Sequence, residues 1–509
     1  MAAVSTRLLA TINQPVVNYR IAIVADRLPV SLDPLVDATD PAVAAMSSLT
    51  YRGLLRLNDT AYPVPDLAAS MTTSLDGLTY TLPLRSGLRW SDGRALTVND
   101  ALATIDWVQS PGFPDSTMAN AWSGVDATVS GEALILSLRT PRASFPVTLS
   151  ELPVLPLGAL THSAIAKLAA QATTALPTSG PYEVVGSTAG AITLVANPYA
   201  DPRPHLARIQ VQPMGSFAAA AAAFAGRSVD AVLATTPDQR AQLLRRPGST
   251  AHDVTTFGFV DLIFNERLPG LSDPVVRTAV NEAIDRALII GGPLAGFGVA
   301  QYGPLSAGIL WLGTVAGGSL PNLQAASTAL DADGWVPGPT GDRSRDGVAL
   351  KFTLTVPDAA PLPEVASAVA DQLDVLGIAT TVSVVPSSQF LSRVLLSTRF
   401  QLAIASWDNG ADPDVSSYWR STSTPPTGFN VSGAPADPFL DQDLDALATV
   451  SDTTQRTAAA VRVAGDLAED VPAVFLYAPE ESLVVSRSLS PAVVTDVGNP
   501  FGDAAAWRL

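Results

Sequence analysis

Apolar and polar residues change their spacing several times along this chain, and each spacing predicts a different kind of element. Between residues 51 and 149 they alternate around turn-forming residues, which predicts short antiparallel strands. Residues 350–406 give the order strand, helix, strand, helix, strand, which predicts a parallel sheet covered by helices. Ligands of such sheets bind beyond the carboxyl ends of the strands, so the loop after the last strand, residues 407–419, is the leading candidate site.

Two helices are predicted by their first residues as well as by their apolar faces. Thr97 and Asp100 have the spacing of an N-terminal capping box ahead of an apolar run at residues 101–108. Asp273, followed by a proline in the first helical turn, begins a helix predicted over residues 274–290, with apolar residues along one face.

Length and charge narrow the class of protein. With 509 residues and 47% hydrophobic residues, the chain is expected to form two or more domains with large cores. The net charge is −17, from 47 acidic and 30 basic residues, so a nucleic-acid partner is not expected. No run approaches the ~18 apolar residues of a membrane span. The first residues hold only a short apolar run, too weak for a secretory signal, so an export signal is expected to be absent from this version of the sequence.

The motifs of common enzymes are missing from the sequence. Without cysteine, thiolate catalysis, cysteine-ligated zinc and disulfides are excluded, and no GxSxG, HExxH or P-loop pattern occurs. The three histidines have no partners at a ligand spacing. Asp412 and Asp414 could serve a glycosidase, although the sequence DPD in a Gly-rich loop favours turn chemistry. The pattern favours binding over catalysis.

A longer stretch carries a family resemblance. Residues 76–108, DGLTYTLPLRSGLRWSDGRALTVNDALATIDWV, resemble the signature region of the family 5 solute-binding proteins, the oligopeptide, dipeptide and nickel-type receptors of ABC importers. Further blocks resemble the family in the same order along nearly the whole chain: SLDPLVD from Ser31, TYRGLL from Thr50, TSGPYEVV from Thr178, LVANPYADPRPHLARI from Leu194, LIFNERLPGLSDPVVRTAVNEAIDRALII from Leu262, and FQLAIASWDNGADPDVSSYW from Phe400. Within the signature region, Trp90 and the turns around it are expected to be structural.

The resemblance implies an α/β, two-lobed, periplasmic-binding-protein-like fold (type II, cluster C) with a β-rich subdomain inserted in lobe I. The expected boundaries are residues 1–52 for the first part of lobe I, 53–152 for the inserted subdomain, 153–258 for the second part of lobe I, 259–477 for lobe II, and 478–509 for the return to lobe I.

The implied function is that of an extracytoplasmic substrate-binding protein, periplasmic or at the cell surface, and not of an enzyme. It would act as a monomer without a cofactor, close around a small solute by hinge motion, and deliver it to an ABC importer permease. A peptide or peptide-like ligand is expected, while opines, glycosides and metal chelates stay open. Two alternatives are a hydrolase using Asp408 and Asp412, and a ligand-presenting sensor or chaperone component.

The resemblance also suggests where the ligand is contacted. In peptide-binding relatives an Asp three residues after the loop Trp pairs with the α-ammonium group of the ligand. Here Trp407 is followed at that distance by Gly410, and Asp408 is the candidate replacement. Some relatives have an Arg three residues before the Trp, where this chain has Ile404. The candidate ligand-binding residues are Trp407, Asp408, Asn409, Gly410 and, after the 274–290 helix, Tyr302.

Overall fold

The chain folds around two large mixed sheets joined by two short crossings. The computed structural model describes residues 18–25, 34–35, 41–159, 176–188, 190–313, 320–486, 498–502 and 504–508. The seven strands of the first sheet, in spatial order, are Thr250–Thr255, Glu480–Val485, Ala231–Ala234, Asn18–Val24, Arg208–Met214, Ala191–Ala196 and Tyr182–Thr188. Asn18–Val24 pairs in parallel with both of its neighbours.

The second sheet contains the parallel unit predicted from the sequence. Its six strands, in spatial order, are Val299–Ala300, Ala473–Ala478, Gly258–Phe264, Leu402–Asp408, Lys351–Pro357 and Ala379–Val385. The last three are parallel, as expected, while the first three add antiparallel pairs at one side. The sheet is therefore mixed, because it also takes in the two strands that connect to the first sheet.

The two crossings between the sheets lie side by side. The chain leaves the first sheet after Thr255 and enters the second at Gly258; it returns at Pro479. The backbone N–H of Thr256 donates to the carbonyl of Pro479 at 2.9 Å, and its hydroxyl donates to the same oxygen at 3.0 Å. Gly258 pairs with Asp408, so the carboxyl end of Leu402–Asp408 lies at the sheet edge next to the crossings.

A smaller four-stranded sheet is formed by residues that lie, in the sequence, between the strands Asn18–Val24 and Tyr182–Thr188 of the first sheet. Its strands, in spatial order, are Thr72–Thr73, Thr79–Pro83, Ala133–Leu138 and Val125–Ser130, and a two-strand ribbon joins Leu55–Leu57 to Pro63–Pro65. Another three-stranded ribbon is formed by Val336–Pro337, Arg343–Arg345 and Val348–Ala349. The alternation in the early part of the chain thus forms antiparallel strands, as predicted.

The signature region holds this part of the fold together, as the sequence predicts. Trp90 is 1% exposed, and its indole N–H lies 3.4 Å from Oδ2 of Asp100. That oxygen also accepts the backbone N–H of Thr97 at 2.9 Å, which completes the capping box of the helix Val98–Val108. Oδ1 of Asp100 accepts the N–H of Gly158 at 3.0 Å. One buried carboxylate therefore joins the turn, the helix and a distant segment.

We expect Asp100→Ala to lower the free energy of unfolding by about 2–3 kcal/mol, because it removes hydrogen bonds to a buried, charged acceptor and leaves their donors unpaired. Urea denaturation followed by circular dichroism measures the change. Asp126→Ala, in an exposed position of a neighbouring strand, is the matched control and should cost less than about 0.5 kcal/mol. Equal losses in the two variants would contradict a structural role for Asp100.

The remaining helices lie between the strands along the chain. Their bounds are Pro41–Thr50, Ser116–Ala121, Phe145–Glu151, Phe217–Ala225, Pro237–Leu244, Pro274–Ala283, Arg286–Gly291, Leu323–Ala332, Leu362–Leu376, Ser387–Phe390, Ser416–Trp419, Pro438–Thr449 and Thr453–Asp470, with 3₁₀ turns at Leu310–Leu312 and Ala504–Ala506 and a π turn at Leu391–Leu395. Over the described ranges, none of the helices combines the length and the apolar character needed to cross a bilayer.

One predicted helix is divided in two. The sequence predicts a single helix over residues 274–290, but Ile284 has extended backbone geometry, with ψ 112°. The Asp285 carboxylate accepts the N–H groups of Ala287 and Leu288 and so caps a second helix. The apolar spacing continues across the break, which is why periodicity alone does not reveal it.

Candidate functional site

The loop that follows Leu402–Asp408 is shaped by its own polar side chains. The Asn409 side-chain amide donates to the carbonyls of Asp412, at 2.7 Å, and Asp414, at 3.0 Å. Asp408 Oδ1 accepts the backbone N–H of Gly410 at 3.0 Å, and Gly410 has a left-handed φ of 64°. A glycine meets this φ without the steric cost that a Cβ would add. The amide of Asn409 therefore holds the loop, and its predicted role in ligand contact stays a prediction.

Asp412 anchors the loop to a helix behind it. Both of its carboxylate oxygens accept from Nη2 of Arg456, at 2.6 and 2.8 Å, and the two residues are 8% and 6% exposed. Burial raises the pKa of the Asp412 carboxyl, and the Arg456 guanidinium opposes that rise. Arg456 also donates to the carbonyl of Leu447 at 3.1 Å. Because Asp412 is engaged in this buried pair, the geometry does not favour a hydrolase that uses it together with Asp408.

Trp407 belongs to an aromatic cluster with Tyr418 and Phe429. The ring centroid of Trp407 lies 5.0 Å from that of Tyr418 and 5.8 Å from that of Phe429. The rings of Tyr418 and Phe429 are stacked, with their centroids 5.8 Å apart. Tyr418 is buried, Trp407 is half-buried, and Phe429 is 36% exposed. Aromatic surfaces of this kind commonly line ligand sites. We call these three residues the aromatic cluster.

A buried carboxyl group lies under the aromatic cluster. The indole N–H of Trp407 donates to Oδ1 of Asp261 at 2.9 Å, and Asp261 is 0% exposed. Burial raises the pKa of Asp261 to about 8, whereas the hydrogen bond from Trp407 works in the opposite direction. The carboxyl group is therefore mostly protonated at neutral pH.

A glutamate from outside the second sheet faces the loop. Glu151 ends the helix Phe145–Glu151, and a Cβ added at Gly410 would lie 3.6 Å from its Oε1. Burial raises the pKa of Glu151 to about 7, and the carboxylates of Asp412 and Asp408 add to the rise, although the side chain keeps access to solvent. Glu481, just past the return crossing, also has a raised pKa, through burial and then through Asp408. Negative groups thus converge from three segments.

Tyr302 lies in a different setting. The Arg286 guanidinium stands over its ring, 4.7 Å from the centroid, and the N–H of the preceding Gln301 donates to the carbonyl of Leu476. In the second sheet, Gln301 therefore lies beside Leu476. Ala478, which pairs with Val299, is the residue of that strand nearest the crossing at Pro479. Its predicted place in the ligand cleft stays a prediction.

Three residues of this region were not among the sequence-based candidates. Tyr418 lies in the candidate loop itself, so its aromatic character in SSYW was the available signal. Asp261 and Glu151 are distant in sequence from residue 407, and no local pattern marks them. Within the described ranges, no group of three or more His, Asp or Glu side chains is arranged to hold a metal ion.

Comparison with known proteins assigns the family. The model of the bacterial extracellular solute-binding proteins, family 5 Middle, matches residues 62–429. Protein XP55 of Streptomyces lividans is 27% identical over 443 residues, which cover 84% of this chain and 79% of that protein.

Two solved structures share the fold. The oligopeptide-binding protein AppA of Bacillus subtilis, solved with a nonapeptide, has a TM-score of 0.66 at 20% identity and covers 97% of this chain and 98% of its own. NikZ of Campylobacter jejuni, solved with Ni(L-His), has a TM-score of 0.70 at 19% identity and covers 97% and 100%. The two-lobed α/β fold expected from the sequence is thereby confirmed, and this chain belongs to family 5 of the bacterial extracellular solute-binding proteins.

Proposed function

We propose that this protein captures a small solute with a positively charged end, such as a short peptide with a free amino terminus, and presents it to an ABC importer. The observation that carries the proposal is the position of Glu151 opposite Gly410. At that point of the loop, the family resemblance places an ammonium-binding carboxylate, which glycine cannot supply. Glu151 offers a carboxylate from the facing wall, and Asp408 offers a second one from the loop.

The electrostatics of this region favour a cation. The charge of Asp408 raises the pKa of both Glu151 and Glu481, after the larger effect of burial, and among the described residues none of the three forms an ion pair with an arginine or lysine. An ammonium group placed between them would relieve this repulsion and form charge-assisted hydrogen bonds. The aromatic cluster beside them provides apolar surface for side chains of the ligand.

The capture mechanism we propose is hinge closure of two lobes. The first sheet with the inserted subdomain, residues 1–258 and 478–509, would form lobe I, and residues 259–477 would form lobe II. Bending at Thr256 and at Pro479 would move Glu151 away from the loop in an open state and return it to the loop on closure. Contacts between the subdomain and residues 259–477 support a closed arrangement: the backbone N–H of Trp311 donates to the Thr60 carbonyl at 3.0 Å, and the ring centroids of Trp311 and Tyr62 lie 5.6 Å apart. Ligand would favour this closed state by binding it more tightly.

Peptides are the first ligand class to test, because a free amino terminus next to side chains matches the acidic groups beside the aromatic cluster. That AppA was solved with a nonapeptide is consistent with this choice, and the Ni(L-His) complex of NikZ makes metal chelates the second class. An extracytoplasmic location, a monomeric state and an importer permease as partner complete the proposal.

The test compares trialanine with N-acetyl-trialanine, which lacks the ammonium charge, by isothermal titration calorimetry. We expect acetylation to raise the Kd of the wild-type protein about 10- to 100-fold, as for the loss of charge-assisted hydrogen bonds. In the double variant Glu151→Gln with Asp408→Asn, the two peptides should bind with similar affinity, because neutral amides no longer favour the charged terminus.

Glu132→Gln is the matched control, since Glu132 is an exposed carboxylate at the hairpin of the four-stranded sheet. It should leave the preference for the free amino terminus unchanged. A wild-type protein that binds both peptides equally would contradict the role of the carboxylates. If it binds neither trialanine nor any other peptide of a screen, the peptide assignment is wrong.

A further inference from the structure

The environment of Asp261 is unusual for a carboxyl group. In the strand Gly258–Phe264, alternate residues point to opposite faces. Val260, Leu262 and Phe264 enter the main core of the second sheet, while Phe259 and Ile263 enter two apolar clusters on the other face. Asp261 lies between the latter two, fully buried among apolar neighbours.

Asp261 has one side-chain partner within the described part of the chain, and that partner is Trp407. Oδ1 accepts the indole N–H at 2.9 Å, whereas Oδ2 is buried without a hydrogen-bond partner. Burying an oxygen without a hydrogen-bond partner lowers the stability of the fold. The hydrogen bond to Trp407 offsets part of this loss. Trp407 is in turn packed against both apolar clusters that flank Asp261.

We propose that Asp261 is a positioning residue that holds the indole of Trp407 at the angle needed to receive a ligand. The inference rests on the proposed function, because it assigns Trp407 to the wall of the binding site. Among the described residues, the bond to Asp261 is the one hydrogen bond of the Trp407 indole. Ring contacts limit the orientation of the indole, but the hydrogen bond selects one edge of the ring. A ring that is already fixed before binding loses less conformational entropy when the ligand binds, which favours a higher affinity.

Among the described residues, Trp407 is the one whose side chain hydrogen-bonds to the side chain of Asp261. The ring of Trp407 meets Tyr418 at 5.0 Å, and a charge on Asp261 acts on the pKa of the Tyr418 phenol. The Tyr418 hydroxyl itself donates to the carbonyl of Asp408 at 3.4 Å rather than to Asp261. No arginine or lysine pairs with Asp261 among the described residues. The carboxyl group is also kept neutral by burial, and a neutral carbonyl oxygen suffices to accept the indole N–H.

The first experiment needs no ligand. In ¹H–¹⁵N spectra of protein labelled at its eight tryptophans, the Nε1–H signal that disappears in Trp407→Phe identifies Trp407. We expect Asp261→Ala to shift this signal strongly and to speed its exchange with solvent. Asp261→Asn, whose amide oxygen accepts the same bond without a charge, should restore a wild-type-like position. An unchanged signal in Asp261→Ala would overturn the proposal.

The second experiment measures trialanine affinity in a double-mutant cycle. We expect Asp261→Ala to raise the Kd about 5- to 10-fold in the wild-type background, the equivalent of one lost hydrogen bond. In the Trp407→Phe background, which lacks the indole donor, the same change should have less than a twofold effect. Equal effects in both backgrounds would show a general structural role and overturn the proposal.

The two experiments separate the inference from the proposed function. If neither trialanine nor any other peptide of the screen binds the wild-type protein, the peptide assignment fails, and the spectra still decide whether Asp261 holds Trp407. If trialanine binds and the cycle shows no coupling, the positioning role fails and the proposed function stands.

Discussion

Arg456→Ala is expected to be the most destabilising of the substitutions considered for this protein, with a loss of about 3–5 kcal/mol in the free energy of unfolding. The change leaves the Asp412 carboxylate buried without its cation and frees the carbonyl of Leu447. Removing one partner of a buried pair costs more than the pair contributes, because the remaining charge cannot be hydrated. Urea denaturation followed by tryptophan fluorescence measures the loss.

The chain offers a matched control in a second arginine on the same helix. Arg462 pairs with Asp443 at 2.7 Å, but its side chain is 51% exposed. Arg462→Ala should therefore cost less than about 1 kcal/mol, as for other solvent-exposed pairs. Adding Asp412→Asn to Arg456→Ala should recover part of the stability, since no full charge then remains buried. Similar losses in Arg456→Ala and Arg462→Ala would contradict this account of the loop anchor.

The loop should respond to the same substitution. Asp412 is hydrogen-bonded through its carboxylate to the N–H of Asp414 at 2.9 Å, and its carbonyl accepts the Asn409 amide. Loss of Arg456 therefore loosens the segment that carries Asp408 and Gly410. A weaker trialanine affinity in Arg456→Ala than in Arg462→Ala, at temperatures where both are folded, would link the anchor to the site.

The second large effect concerns pH. The pKa of Asp261 rises from 3.8 to about 8 on folding because the group is buried. Between about pH 4 and pH 8 the unfolded chain is ionised at this residue while the folded protein keeps the proton. The folded state then binds more protons, so its stability falls as pH rises through this window. Asp261 should reduce the free energy of unfolding by about 3–4 kcal/mol between pH 5 and pH 8.

Asp261→Asn isolates this contribution, because the amide does not titrate. The stability of the variant relative to wild type should improve steadily from about pH 5 to pH 8 and level off above about pH 8, where Asp261 is ionised in both states. Asp371→Asn, in an exposed position of the helix Leu362–Leu376, is the control and should follow the wild-type pH profile. A constant difference between wild type and Asp261→Asn across the window would show that Asp261 has no raised pKa.

Local patterns in the sequence determined the elements and much of the family assignment. The capping box of Thr97 and Asp100 and the parallel strands of residues 350–406 were predicted because each depends on residues that are close in the chain. The same reasoning placed the candidate loop at the end of Leu402–Asp408. It failed at Ile284, where a cap interrupts a helix without interrupting the apolar spacing.

The chemistry of the candidate site was decided by tertiary structure. The sequence shows no partner for Asp412, whereas in the fold its carboxylate pairs with Arg456. In the same way, the indole of Trp407 donates a hydrogen bond to Asp261, which lies on a neighbouring strand. Glu151 lies opposite Gly410 only because the fold brings the end of the helix Phe145–Glu151 next to the loop after Leu402–Asp408. These residues are far apart in the sequence, and they meet because strands pair and helices pack across the fold. The spacing of apolar residues within a short window does not show which strands pair or which helices pack together. Local spacing thus determined which elements form, while long-range packing determined which of their side chains meet.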